Sequence, residues 1–99
     1  MRFEDLATEK GLRLFSKNEN VSIEIGLHFT AEDGDFYIDY NEERGGRKFI
    51  LLPDFQSVID YVTREFGKNN LEEYKEKADK LHREMYQNKY VREWKRRKK

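Results

Sequence analysis

Ten consecutive residues, Val21 to Thr30, alternate between apolar and polar without a break. Val21, Ile23, Ile25, Leu27 and Phe29 fall on one side, and Ser22, Glu24, Gly26, His28 and Thr30 on the other. A period of two over this length specifies a strand with one buried face. Two glycine-bearing turns follow, each leading into another strand-like run: DFYIDYNEE, then RKFILL. Asp33-Gly34 suits a two-residue type I′ turn, in which both central residues must tolerate positive φ. That turn predicts Phe29 opposite Ile38, Leu27 opposite Tyr40 and His28 opposite Asp39. Read the same way, Gly45-Gly46 predicts Glu43 opposite Lys48 and Tyr40 opposite Leu51. Phe49 and Leu51 then join the core face. Tyr37, Ile50 and Leu52 go to the second face, among Glu24, His28, Asp39 and Asn41. A sheet face with that many apolar residues is either partly covered or a contact surface.

The flanks supply the rest of the fold. Phe3, Leu6 and Ala7 predict a short helix over 2–10, closed by Gly11, with Leu12–Ser16 as a candidate fourth strand and 17–20 as a loop. Pro53 ends the strand region and Asp54 caps a helix over 54–66, whose stripe is Phe55, Val58, Ile59, Val62 and Phe66. Gly67 ends it. Asn70 and Glu73 form a variant capping box for a long helix from Leu71 to Arg96. Its first half carries the seam Leu71, Tyr74, Ala78, Leu81 and Met85; Tyr86, Tyr90, Val91 and Trp94 continue on a rotated face. A helix of that length overhangs a narrow sheet or bends round its edge, which predicts a Trp94 less buried than Leu81. The expectation is one α+β domain over 1–99: an antiparallel meander of three to four strands, a short N-terminal helix, two C-terminal helices and a flexible basic tail at 95–99. The predicted core is Ile23, Ile25, Leu27, Phe29, Phe36, Ile38, Tyr40, Phe49, Leu51, Phe55, Val58, Ile59 and Val62.

Composition narrows the function classes. The chain has no cysteine, which excludes a disulfide framework and a thiolate metal site. The N-terminus, MRFEDLATEK, carries acids and no apolar run, unlike a signal peptide or anchor. No stretch approaches the ~20 apolar residues of a membrane span. A cytoplasmic protein with no membrane partner is expected. Charged residues make up 40% of the chain and cancel to zero, but unevenly. Residues 1–66 hold 14 acids against 8 bases, and residues 67–99 hold 6 against 12. Such a separation of charge can steer a partner.

The chemistry-bearing candidates are few. His28 and Asp39, opposite each other in the predicted register, resemble an acid–base pair but have no nucleophile or oxyanion motif nearby. Asp33, Asp35 and Asp39 lack the spacing of a calcium loop. Gly34, Gly45 and Gly46 are turn glycines and form no phosphate loop. No catalytic residue, metal or cofactor is therefore expected. The reading that remains is a non-enzymatic protein-binding module, an inhibitor or regulator. It would act through the second sheet face: Glu24, His28, Tyr37, Asp39 and Ile50. The composition resembles that of small phage or mobile-element inhibitors, an analogy of composition only. The alternative is nucleic-acid binding by Lys89, Tyr90, Arg92, Trp94, Lys95, Arg96 and Arg97, with cations on phosphates and aromatic rings on bases. A homodimer through the 71–85 seam is a further variant.

Overall fold

The computed structural model describes residues 1–8, 11–28 and 36–85. Five antiparallel strands form one sheet in chain order: β1 (Glu4–Asp5), β2 (Arg13–Asn18), β3 (Val21–Leu27), β4 (Phe36–Glu42) and β5 (Arg47–Leu52). Two helices follow. The first is α1 (Phe55–Phe66). The second, α2, opens as a 3₁₀ turn over Leu71–Tyr74 and continues as α-helix over 75–85. The class is α+β, but the sheet has five strands rather than three or four. Among the described residues there is no N-terminal helix.

Residues 2–8 go to the sheet edge because they find long-range partners there. Phe3 is fully buried. Its N–H donates to Asn70 Oδ1 at 2.6 Å, and Asn70 Nδ2 donates back to the Phe3 carbonyl at 3.0 Å. The Tyr74 hydroxyl donates to the same carbonyl at 3.1 Å, and the Leu6 N–H donates to Arg13 O at 2.8 Å. A single short helix gains little by itself in water, so these contacts decide the conformation. They also take Asn70 away from its expected role: its side chain makes no capping bond, and Asn69 Oδ1 accepts from the Leu71 N–H at 3.0 Å instead.

The β3–β4 register slides four residues along β4 from the predicted one, pairing Leu27 with Phe36, Ile25 with Ile38 and Ile23 with Tyr40. This slide lets all of β3 pair, as far as Val21 with Glu42, whereas the predicted register would run its first residues past the end of β4. Backbone groups on a sheet demand partners, so the full-length pairing is favoured. An even slide leaves every side chain on its predicted face. Phe29, Asp33, Gly34 and Asp35 lie outside the described residues.

The β4–β5 register differs by an odd number, and the consequence is larger. Tyr37 pairs with Leu51, Asp39 with Phe49, Ile38 with Ile50 and Tyr40 with Lys48. The connection is a three-residue turn, Glu43-Arg44-Gly45. The Gly45 N–H donates to Glu42 O at 3.1 Å and the Glu42 N–H donates to Gly46 O at 2.7 Å. Gly45 has φ +102°. This is a type I turn followed by a left-handed residue, a position glycine fills without steric cost. Every β5 side chain is consequently turned over relative to the predicted register. Ile50 and Leu52 face the core, Phe49 and Leu51 face away from it, and Lys48 lies opposite Tyr40 rather than Glu43.

One face of the sheet carries the core. Leu14, Ile23, Ile25, Phe36 and Ile38 are fully buried there, with Leu12 and Phe3 beside them. Phe55, Val58, Ile59 and Val62 of α1 and Leu71 and Ala78 of α2 close over them. Each of these side chains larger than alanine contributes about 1.5–3 kcal/mol by leaving water. Leu27 and Tyr40, also expected in the core, sit half-buried at its margin. Helix α1 forms as its local signals predict. Asp54 Oδ1 accepts from the Ser57 N–H at 2.7 Å, and Gly67, at φ +86°, ends the helix. The α2 seam turns inward, with Leu71 and Ala78 buried and Tyr74 and Leu81 half-buried. Lys75 ties α2 to Gln56 of α1 at 2.7 Å, and Lys77 pairs with Asp5 of β1. Burial alone would push the Asp5 carboxyl up, but hydrogen bonds from Lys77 and the Ala7 N–H outweigh it and hold it below its ordinary value. Tyr86, Tyr90, Val91, Trp94 and the tail at 95–99 lie outside the described residues, as does the predicted overhang. Among the described residues, no helix is long and apolar enough to cross a membrane.

Candidate functional site

The face of the sheet opposite the helices is the candidate site. Strand alternation and the observed registers bring Arg13, Phe15 and Lys17 of β2 onto it. They meet Ser22, Glu24 and Gly26 of β3, Tyr37, Asp39 and Asn41 of β4, and Arg47, Phe49 and Leu51 of β5. Phe49 is 52% exposed and Leu51 42%. The Tyr37 and Phe49 rings stack at 5.7 Å with an interplanar angle of 14°, and His28 meets Phe49 edge-on at 6.2 Å. The result is an aromatic strip on an open sheet.

The strip is braced by a charge ladder across the strands. Glu24 lies opposite Asp39, and two like charges so placed repel. Each is relieved from the outside. Arg13 Nε donates to Glu24 Oε1 at 2.6 Å, and Arg47 Nε approaches Asp39 Oδ1 at 3.4 Å, where Asn41 Nδ2 also donates at 3.2 Å. The hydrogen bond from Arg13 to Glu24 also raises the guanidinium pKa above its ordinary value. The Tyr37 hydroxyl donates to the other Glu24 oxygen at 3.1 Å. Burial, together with the Glu24 carboxylate, pushes that hydroxyl up to about 12, so it remains a neutral donor across the physiological range. A hollow of about 220 Å³, lined by Phe15, Lys17, Ser22 and Asn41 among others, continues the face toward the β2–β3 turn.

Of the five predicted face residues, Glu24, Tyr37 and Asp39 lie on this surface, and His28 stands at its end beside Phe49. Ile50 does not: it packs from β5 toward the core. Its place on the open side is taken by Phe49 and Leu51, which a two-residue turn predicts in the core. The His28–Asp39 pair does not form across the strands, because the register sets Asp39 against Glu24. Arg13 and Arg47, the cations that neutralise this face, escaped sequence reasoning. Their role depends on which strands neighbour β3 and β4 and in what register. Among the described residues, no group of three or more His, Asp or Glu is placed to hold a metal ion. Asp33 and Asp35 lie outside that set, as do Lys89, Tyr90, Arg92, Trp94, Lys95, Arg96 and Arg97.

Compared with known proteins, the chain matches no family model, no curated protein and no solved structure.

Proposed function

We propose that the chain is a non-enzymatic protein-binding module, an inhibitor or regulator of a larger protein, whose contact surface is the open face of the sheet. The observation that carries this reading is the exposure of Phe49 and Leu51 beside the stacked Tyr37. Exposed apolar residues gathered on one face and rimmed by charge are the anatomy of a protein contact. Charge supports a protein over a nucleic acid as the occupant of this face. Glu24 and Asp39 stand at its centre and engage Arg13 and Arg47, so two of the three cations named on this face already meet carboxylates, whereas a phosphate backbone asks for a strongly positive surface.

Photo-crosslinking tests the reading. A benzoylphenylalanine placed at Phe15 or Leu51 should trap one discrete protein in extracts of the native host. The same probe at Asp60 or Arg64 on α1 should not, and Tyr37→Ser should abolish the crosslink from Leu51. Crosslinks from the α1 positions alone would place the contact elsewhere and overturn the proposal.

A further inference from the structure

The outer edge of β5 is the longer of the two edges of the sheet. The hydrogen bond from the Glu42 N–H to Gly46 O fixes which backbone groups it offers. That bond makes Glu42 and Gly46 a hydrogen-bonded pair, and such pairs alternate along an antiparallel ladder. Lys48, Ile50 and Leu52 therefore spend their N–H and C=O groups on β4. Arg47, Phe49 and Leu51 point theirs away from it. A row of outward donors and acceptors is a template for another strand.

We propose that the occupant is a second copy of this chain, its β5 antiparallel to the first and centred on Phe49. Three observations single out this partner. The outward groups are self-complementary about Phe49: with Phe49 opposite its own copy and Arg47 opposite Leu51, every outward N–H and C=O of these residues meets a mate, as a two-fold interface requires. The charges are compatible. Arg47 faces Leu51 and Lys48 faces Ile50, while the two Arg47 residues stand four positions apart, about 13 Å at ~3.3 Å per residue. The formal net charge of zero leaves no long-range repulsion between copies. The side chains also match, because the two Phe49 rings meet on the open face and extend the Tyr37–Phe49 stack into a strip shared by both copies. The edge contact is separate from the face contact proposed above and stands without it. A pairing of this size is weak and concentration-dependent.

The absence of cysteine from the chain makes the test clean. Opposed residues of a hydrogen-bonded pair lie about 5.5 Å apart at Cα, within disulfide reach. Under mild oxidation Phe49→Cys should give a linked dimer. Arg47→Cys and Leu51→Cys should each stay single alone and link when mixed. Far-ultraviolet dichroism of each variant controls for folding, and sedimentation of the unmodified chain gives a reading free of mutation. Its apparent mass should climb from 12.1 kDa toward twice that value with concentration. Equal linking by all three single variants, or a monomer that persists into the hundreds of micromolar, would overturn the proposal. So would protection of the Arg47, Phe49 and Leu51 amides only when a different protein is added, which would give the edge to that protein. If the chain stays monomeric while Tyr37→Ser still abolishes the crosslink from Leu51, the edge proposal fails and the face reading survives.

Discussion

The ring of Tyr37 lies against Gly26, its neighbour across the β3–β4 ladder, so closely that a β-carbon on Gly26 would come within 2.7 Å of the ring. Glycine is required there by contact rather than by backbone angle. Gly26→Ala should displace the ring, loosening its stack on Phe49 and its bond to Glu24. The expected cost is about 1–3 kcal/mol in urea unfolding. In a Tyr37→Ala background most of that cost should vanish, because the clashing ring is gone. An undiminished cost in the double variant would mean that Gly26 matters for another reason.

Asn70 substitutes for a strand by bonding both backbone groups of Phe3. Asn70→Ala leaves the Phe3 N–H without that partner in a part-buried site and should cost on the order of 2 kcal/mol. Asn70→Asp keeps the acceptor for the Phe3 N–H but loses the donor, and should fall between the two. Hydrogen exchange should speed up at the Phe3 amide first in both variants.

Ile25 and Phe49 report the two faces. Ile25→Ala, in the core, should lose about 2–5 kcal/mol. Phe49→Ala, half-exposed on the open side, should lose under ~1 kcal/mol. A β4–β5 pairing with a two-residue turn would put Phe49 in the core and make both substitutions costly, so the comparison tests the turn as much as the residues.

The Asp54 carboxyl is held below its ordinary value of 3.8, chiefly by the Ser57 N–H that it accepts. A depressed carboxyl pKa stabilises the fold above the unfolded value, and the gain is lost as pH falls through the folded value. Asp54→Ala should therefore cost about 1 kcal/mol at neutral pH. The gap between variant and parent should close once the pH drops well below 3.8. Thermal melts across pH 2–7 would show a constant gap if the carboxylate were not responsible.

What could be read in advance was local. Asp54, Gly67 and the Phe55–Val62 stripe state their helix within a few turns of chain. The alternation of Val21 to Leu27 assigned faces that survived the slide against β4, because an even slide conserves parity. Glu24, Tyr37 and Asp39 were placed on the candidate site by that parity alone. The β5 strand had no such protection. Phe49, Ile50, Leu51 and Leu52 are all apolar, so either register presents a plausible core face. The decision passed to the turn, which can close as the two-residue loop Gly45-Gly46 or as the three-residue loop Glu43-Arg44-Gly45. The N-terminal strand was not legible because Phe3, which precedes it, is held by Asn70 and Tyr74, remote in sequence, while the spacing of Phe3 and Leu6 speaks only of near neighbours.

The same remoteness orders events in time. Phe3 and Asn70 are separated by 67 residues. A ribosome adding about 5–20 residues per second needs roughly 3–13 s to cover that distance. Through that interval strands β2 to β5 can already be in place, while Phe3 still lacks the side chain that bonds both its backbone groups. Phe3 is thus among the last core residues to be seated. A translational pause between β5 and α2 would lengthen the time for which Phe3 stands open to other chains.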